Sequence, residues 1–135
     1  MNNELSSELF RVIDANLNRL KEGIRVVEDI IRYRDNNKEL ATKLKNLRHL
    51  AKVEETFELL KYRDSINDVL RPTIKSELNR SDVKSILLAN FKRAEESSRV
   101  LEELYKLSRA DYSENFKKIR YELYTLEKEI LLNEK

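Results

Sequence analysis

Arginines set in a repeated polar frame are the residues of this chain best suited to do chemistry. The stretch Ala15-Asn16-x-x-Arg19-x-x-Glu22-x-x-Arg25-Val26-x-Glu28 returns as Ala89-Asn90-x-x-Arg93-x-x-Glu96-x-x-Arg99-Val100-x-Glu102, at a constant offset of 74. A second echo, Lys45-Asn46-Leu47-Arg48-His49 against Lys117-Lys118-Ile119-Arg120-Tyr121, lies at an offset of 72. Packing alone would repeat leucines and valines, whereas the identities kept here are mostly polar. Forked guanidinium groups take phosphate oxygens in pairs. Such a set suits an anionic ligand, and the enzyme class it fits is phosphoryl chemistry carried by positioning and charge stabilisation.

Placed on a wheel at 100° per residue, Asn16 and Arg19 fall inside the apolar arc, flanked by Val12, Val26 and Ile30. Asn90 and Arg93 repeat this beside Ile86, Val100 and Leu104, with Glu22 and Glu96 at the edge. An inward arginine costs several kcal/mol unless paired, so two readings stand open. Either nearby glutamates neutralise Arg19 and Arg93 and fix the register of the helices, or a ligand does. Gly23 and Ser97, one turn on, leave room for something other than a side chain. Arg48 and Arg120 approach the same inner side, so the ligand reading expects four guanidinium groups around one cavity. Residues 62–80 add Arg63, Asp64, Asp68 and Arg80. Carboxylates beside phosphate-binding arginines suit hydrated Mg²⁺, while a plain solvated loop is the alternative. His49, the only histidine, fits a helix boundary.

The elements that must carry these residues are helices. One glycine, one proline and 39% charged residues in 135 leave too few turn residues for sheets. Ile13, Leu17, Leu20, Ile24, Val27 and Ile31 predict a helix over 7–33. After a polar break, Asn36 with Glu39 reads as a capping box opening a second helix that runs to about Leu60. Ser81 or Asp82 starts a third, and Asp111 with Glu114 opens a fourth. The expectation is a single all-α domain over 1–135. It is a four-helix bundle of two duplicated hairpins, 7–61 and 82–132, joined by a connector over 62–81 and related by a pseudo-twofold axis.

Composition also excludes. There is no run of about 18 apolar residues and no leader pattern, so no membrane is expected and the cytoplasm is the expected compartment. Without cysteine there is no thiol chemistry, and without a glycine-rich loop there is neither a P-loop nor a dinucleotide fingerprint. A net charge of +2 with no basic stripe argues against a nucleic-acid partner.

The paired frames, together with Lys117 to Leu126, resemble the small all-helical family of monofunctional hydroxymethylpyrimidine phosphate kinases often fused ahead of thiamine-phosphate synthase. The resemblance spans nearly the whole chain. It implies phosphoryl transfer from MgATP to the pyrimidine phosphate, giving the diphosphate used in thiamine biosynthesis. It further implies phosphate-facing roles for Arg19, Arg48, Arg93 and Arg120. Substrate contacts from Asn16, Asn90, Glu22, Glu96, Arg63 and Arg80 follow, with Asp64 and Asp68 as Mg²⁺ ligands. Where the family pattern has glycine after Asp68-Val69 this chain has Leu70, so the connector's turn is expected to differ there. A helical partner domain that binds thiamine-phosphate synthase without catalysing anything would have the same organisation. A homodimer through leftover apolar faces is also left open.

Overall fold

Apolar side chains at three- and four-residue spacing fix the first element. Ile13, Leu20, Ile24, Val27 and Ile31 are all essentially buried, along one face of α1, Ser7–Asp29. The computed structural model describes residues 7–134, and every regular element in it is helical. The last turn of α1 widens into a π-helical turn, Ile30–Arg34. Asn36 then takes a left-handed φ of 52°, a conformation that asparagine tolerates better than most residues. The cap of α2, Lys38–Leu50, is Asn37, whose side chain accepts from the Leu40 N–H at 3.0 Å. The sequence pattern had placed that cap on Asn36, whose backbone makes the turn instead.

Helix α2 stops ten residues short of the expected end near Leu60. Ala51 and Val53 are both buried, and two positions separated by 200° cannot share one face of a helix. The chain therefore leaves the helix, its Glu54 N–H donates to the Tyr112 hydroxyl at 3.0 Å, and a short α3, Thr56–Lys61, inserts Leu59 into the core. The following residues are exposed almost throughout, with one 3₁₀ turn at Lys75–Leu78.

Asp82 opens α4, Val83–Leu104, through a complete capping box with Ser85. A 3₁₀ turn, Tyr105–Leu107, follows and buries Tyr105 against Phe116 and Tyr112. The second capping box anticipated at Asp111 does not form. Asp111 instead takes Arg109 in a two-pronged pair at 2.9 and 2.8 Å, and α5, Ala110–Leu132, starts without a side-chain cap. Two buried hydroxyls tie α4 to α5 in antiparallel register, Ser98 donating to the Phe116 carbonyl and Ser113 to the Glu102 carbonyl.

The fold is all-α. Helix α1 packs chiefly on α4, α1 with α2 and α4 with α5 close the two hairpins, and α2 meets α5. The central α1–α4 approach depends on Gly23. A Cβ there would lie 2.9 Å from the Asn90 carbonyl oxygen and 3.3 Å from Ala94. The room that a small residue at 23 creates is thus filled by the backbone of α4. Among the described residues no helix is long and apolar enough to cross a membrane.

Candidate functional site

Helix phase decides where the repeated polar residues point. Val12 and Val26, which seemed to widen the apolar arc around Arg19, are 40% and 36% exposed. They are the rim of the face, and Arg19 lies beyond it in solvent. Arg93 is exposed in the same way beside Val100, as are Glu22 and Glu96. Asn16 is buried and Asn90 half-buried, but both amides turn back on their own helix. Asn16 Nδ2 donates to the Val12 carbonyl and Asn90 Nδ2 to the Ile86 carbonyl, each at 2.9 Å. Ser97 likewise donates to the Arg93 carbonyl at 2.6 Å.

The sheltered charges are Arg48 and Arg120, and each is already held. Arg48 grips Glu28 through Nε at 2.7 Å and Nη2 at 3.2 Å. Arg120 grips Glu102 through Nε at 3.2 Å and Nη2 at 2.8 Å, with a further bond from Nη1 to the Tyr124 hydroxyl. Both glutamates are buried. The Tyr124 bond followed by the Glu102 pair holds the Arg120 pKa above its ordinary value, and the Glu28 bond does the same for Arg48. These two ion pairs are one interaction made twice, at the offsets of 74 and 72 seen in the sequence. Glu28 and Glu102 close the repeated frame, so their signal was present as its last identity, yet the sequence reading passed over them. The expectation of four guanidinium groups around a shared cavity is therefore corrected. Two are clasped by carboxylates between helices, and two stand on the surface.

A groove of about 390 Å³ between α1 and the connector gathers Arg19, Arg63, Asp64 and Asp68 with Arg11, Asp14 and Asn18. Arg63 reaches Asp14, a buried carboxylate, at 2.7 and 2.8 Å, and this bond raises the arginine's pKa. Arg11 donates to the Asp64 carbonyl at 2.7 Å, which pins the start of the connector to α1. The Asp64 carboxylate accepts from the Asn67 side chain and backbone, bonds that hold its pKa below the usual range. Asp68 accepts from the Leu70 N–H at 3.0 Å, so the turn that glycine was expected to make is closed by an aspartate. These two carboxylates thus serve as local turn acceptors. Among the described residues no three carboxylate or histidine groups stand together as a metal-holding set. Arg80 lies apart, its Nη1 donating to the Asn79 carbonyl, and His49 is exposed on α2.

A second polar cluster has no counterpart in the first half. Glu95, 3% exposed, and Glu127 share the ammonium of Lys92, which stands 3.1 Å from each. Glu95 Oε2 is buried without a hydrogen-bond partner among the described residues. Burial, then the neighbouring Glu127 carboxylate, pushes the Glu95 pKa up to about 7, against the pull of Lys92. The position equivalent to Glu95 in the first half is Lys21, so repeat-based reasoning had no route to this site.

Comparison with known proteins adds the family. The chain matches the ThiD2 family over residues 11–129. It is 39% identical over 129 residues to a thiamine-phosphate synthase of Nostoc punctiforme, covering 95% of this chain and 37% of that protein. It is 42% identical over 122 residues to the thiamine-phosphate synthase of Synechocystis sp., covering 90% and 36%. With that of Rhodopirellula baltica the identity is 33% over 137 residues, covering 98% and 36%. The chain thus spans little more than a third of each of these relatives, and no solved structure matches it. The kinase expectation is corrected by these findings. These relatives bear the name of the synthase, and the phosphate cavity on which the kinase rested is not assembled. The roles given to MgATP and pyrimidine phosphate depended on that activity. With residues 11–129 matched, which is nearly its whole length, the chain belongs to the ThiD2 family.

Proposed function

We propose that this chain is a non-catalytic helical partner domain of thiamine-phosphate synthase, acting with it in cytoplasmic thiamine biosynthesis. The observation that carries the reading is the pair of buried clasps, Arg48–Glu28 and Arg120–Glu102. The best-sheltered guanidinium groups are neutralised within the bundle, and an arginine already held by two bonds to a buried carboxylate is poorly placed to meet a substrate phosphate. The named relatives support the partner: in each, the matched stretch is about a third of a longer synthase chain. A helical body whose repeated charges lock its own register is a suitable rigid companion for such an enzyme.

The test uses the synthase portion of the Nostoc punctiforme relative, lacking the stretch matched by this chain and shown to be active by thiamine phosphate formation. Sedimentation of the two together is expected to give a one-to-one complex, and the synthase is expected to lose activity on heating at least severalfold more slowly in it. Absence of any complex with an active synthase overturns the reading. So does diphosphate formation by this chain alone from hydroxymethylpyrimidine phosphate and MgATP.

A further inference from the structure

Between the end of α1 and the start of α2 lies a cavity of about 300 Å³, walled by Arg32, Lys38 and Lys45. Lys38 and Lys45 are seven residues apart, so α2 sets them on one face, two turns from each other. Ala41, between them, puts only a methyl group into the space. Arg32 comes from the π-helical turn that follows α1, and its guanidinium is braced over the Tyr33 ring, 4.9 Å from the centroid.

The charge around this cavity is unbalanced. Among the described residues its wall holds one carboxylate, Glu28, and both oxygens of that group are bonded to Arg48. The other carboxylates of residues 28–48 are also taken, Asp29 by Arg25, Asp35 by Arg34 and Glu39 by Lys43. Among the described residues Arg32, Lys38 and Lys45 make no ion pair within 4.0 Å. The second hairpin shows how such a cation is otherwise neutralised. At the offset of 74, Arg32 corresponds to Lys106 and Asp29 to Glu103. Glu103 reaches both Arg99 and Lys106, at 2.6 and 3.0 Å. Asp29, one methylene shorter, pairs with Arg25 at 3.3 Å and leaves Arg32 to the cavity.

Three cations facing one space call for a polyanion. Asn37 uses its side-chain oxygen in the helix cap, which leaves its NH₂ group on the same wall for a further acceptor. A phosphate monoester, at about −2, leaves one of the three cations over, and a second phosphoryl group supplies the missing charge. The volume lies at the lower end of the range for small-molecule sites, which suits a compact group of this kind. We infer that the cavity between α1 and α2 binds a diphosphate group, free or at the end of a small organic molecule, through Arg32, Lys38 and Lys45. This site goes beyond the partner-domain reading and does not depend on it, because its ligand is bound by this chain alone.

Titration calorimetry of the full chain at fixed ionic strength, with inorganic pyrophosphate, orthophosphate and sulfate, tests the site. Pyrophosphate is expected to bind at a single site, at least about tenfold more tightly than either of the other anions. Arg32→Ala and Lys38→Ala/Lys45→Ala are each expected to weaken it about tenfold or more. Lys52→Ala/Lys128→Ala removes the same charge as the double variant from other exposed positions, and is expected to bind as the wild type does. All altered residues are exposed, so circular dichroism is expected to match the wild type. ADP separates the two sources of the ligand. Binding as tight as that of pyrophosphate assigns the cavity to an ester, and much weaker binding assigns it to the free ion. Absence of saturable pyrophosphate binding overturns the inference, as does an equal loss in the Lys52→Ala/Lys128→Ala control. Sulfate bound as tightly as pyrophosphate also overturns it, because that marks a general attraction of anions to a basic surface.

Discussion

The two hairpins share a frame and differ in what surrounds it. Both make the buried arginine–glutamate clasp and both turn an asparagine back on its own helix. Around that frame the first half has Gly23 against the backbone of α4 and Asp14 holding Arg63 of the connector. The second half has Ser97 and the Glu95–Lys92–Glu127 cluster. The buried clasp, one part of what was repeated, locks each hairpin, and the divergent residues give each half its further contacts. Of the polar repeat, Glu28 and Glu102 fasten the hairpins through Arg48 and Arg120, while Arg19, Glu22, Arg93 and Glu96 stand exposed.

The sharpest way to break the comparison is to remove one clasp. Arg48→Ala leaves Glu28, 1% exposed at its side chain, as a buried carboxylate without its cation. Loss of one partner from such a pair costs about 3–5 kcal/mol. Arg120→Ala should cost the same order, because Glu102 is similarly sheltered. Urea unfolding of both variants checks this. Equal losses confirm one interaction used twice, and a loss below about 1 kcal/mol at either site would show that the halves are not equivalent.

A smaller effect sharpens the difference between the halves. Glu95 is held near 7 in the folded protein, above its ordinary value of 4.5. The folded state therefore binds a proton that the unfolded chain has released. The stability this gives is fully present below about pH 4.5 and is lost as pH rises through 7, by up to roughly 3 kcal/mol. Glu95→Gln removes the titration. Unfolding free energy from pH 5 to 8 is expected to fall in the wild type and to stay flatter in the variant, so that the variant is the more stable at pH 8. Parallel pH profiles would show that Glu95 does not hold its proton in the folded state near neutral pH.

How much of this was readable in advance follows from what periodicity encodes. Ile13, Leu20, Leu44, Ile119 and Leu123 were legible as core because spacing alone fixes them. The phase of a polar residue at the arc's edge was not. Val12 and Val26 counted as apolar in the sequence, but they stay partly exposed with α4 docked. The end of α2 at Leu50 was equally hidden, since Ala51 and Val53 are both buried by a tertiary detour that leaves no glycine or proline signal. Within the groove, Asp64 and Asp68 were found from their type, but their engagement with Asn67 and Leu70 is a property of the folded turn. Asp14, one residue ahead of the repeated stretch, drew no attention because position 88, its repeat partner, is leucine.

The smallest expected effect bears on the residues that first stood out. Arg19 and Arg93 are exposed, with no carboxylate within 4.0 Å among the described residues, and surface substitutions of that kind change stability by no more than about 0.5 kcal/mol. Arg19→Ala and Arg93→Ala should therefore unfold within that margin of the wild type, in contrast to Arg48→Ala. The test isolates position from identity, because all four are arginines of one repeated pattern. They separate only by whether the helix carries them between elements, where a lost partner strands a buried glutamate, or to the rim, where water takes the partner's place. A loss at Arg93 comparable to that at Arg120 would mean that the rim is closed in solution by another surface.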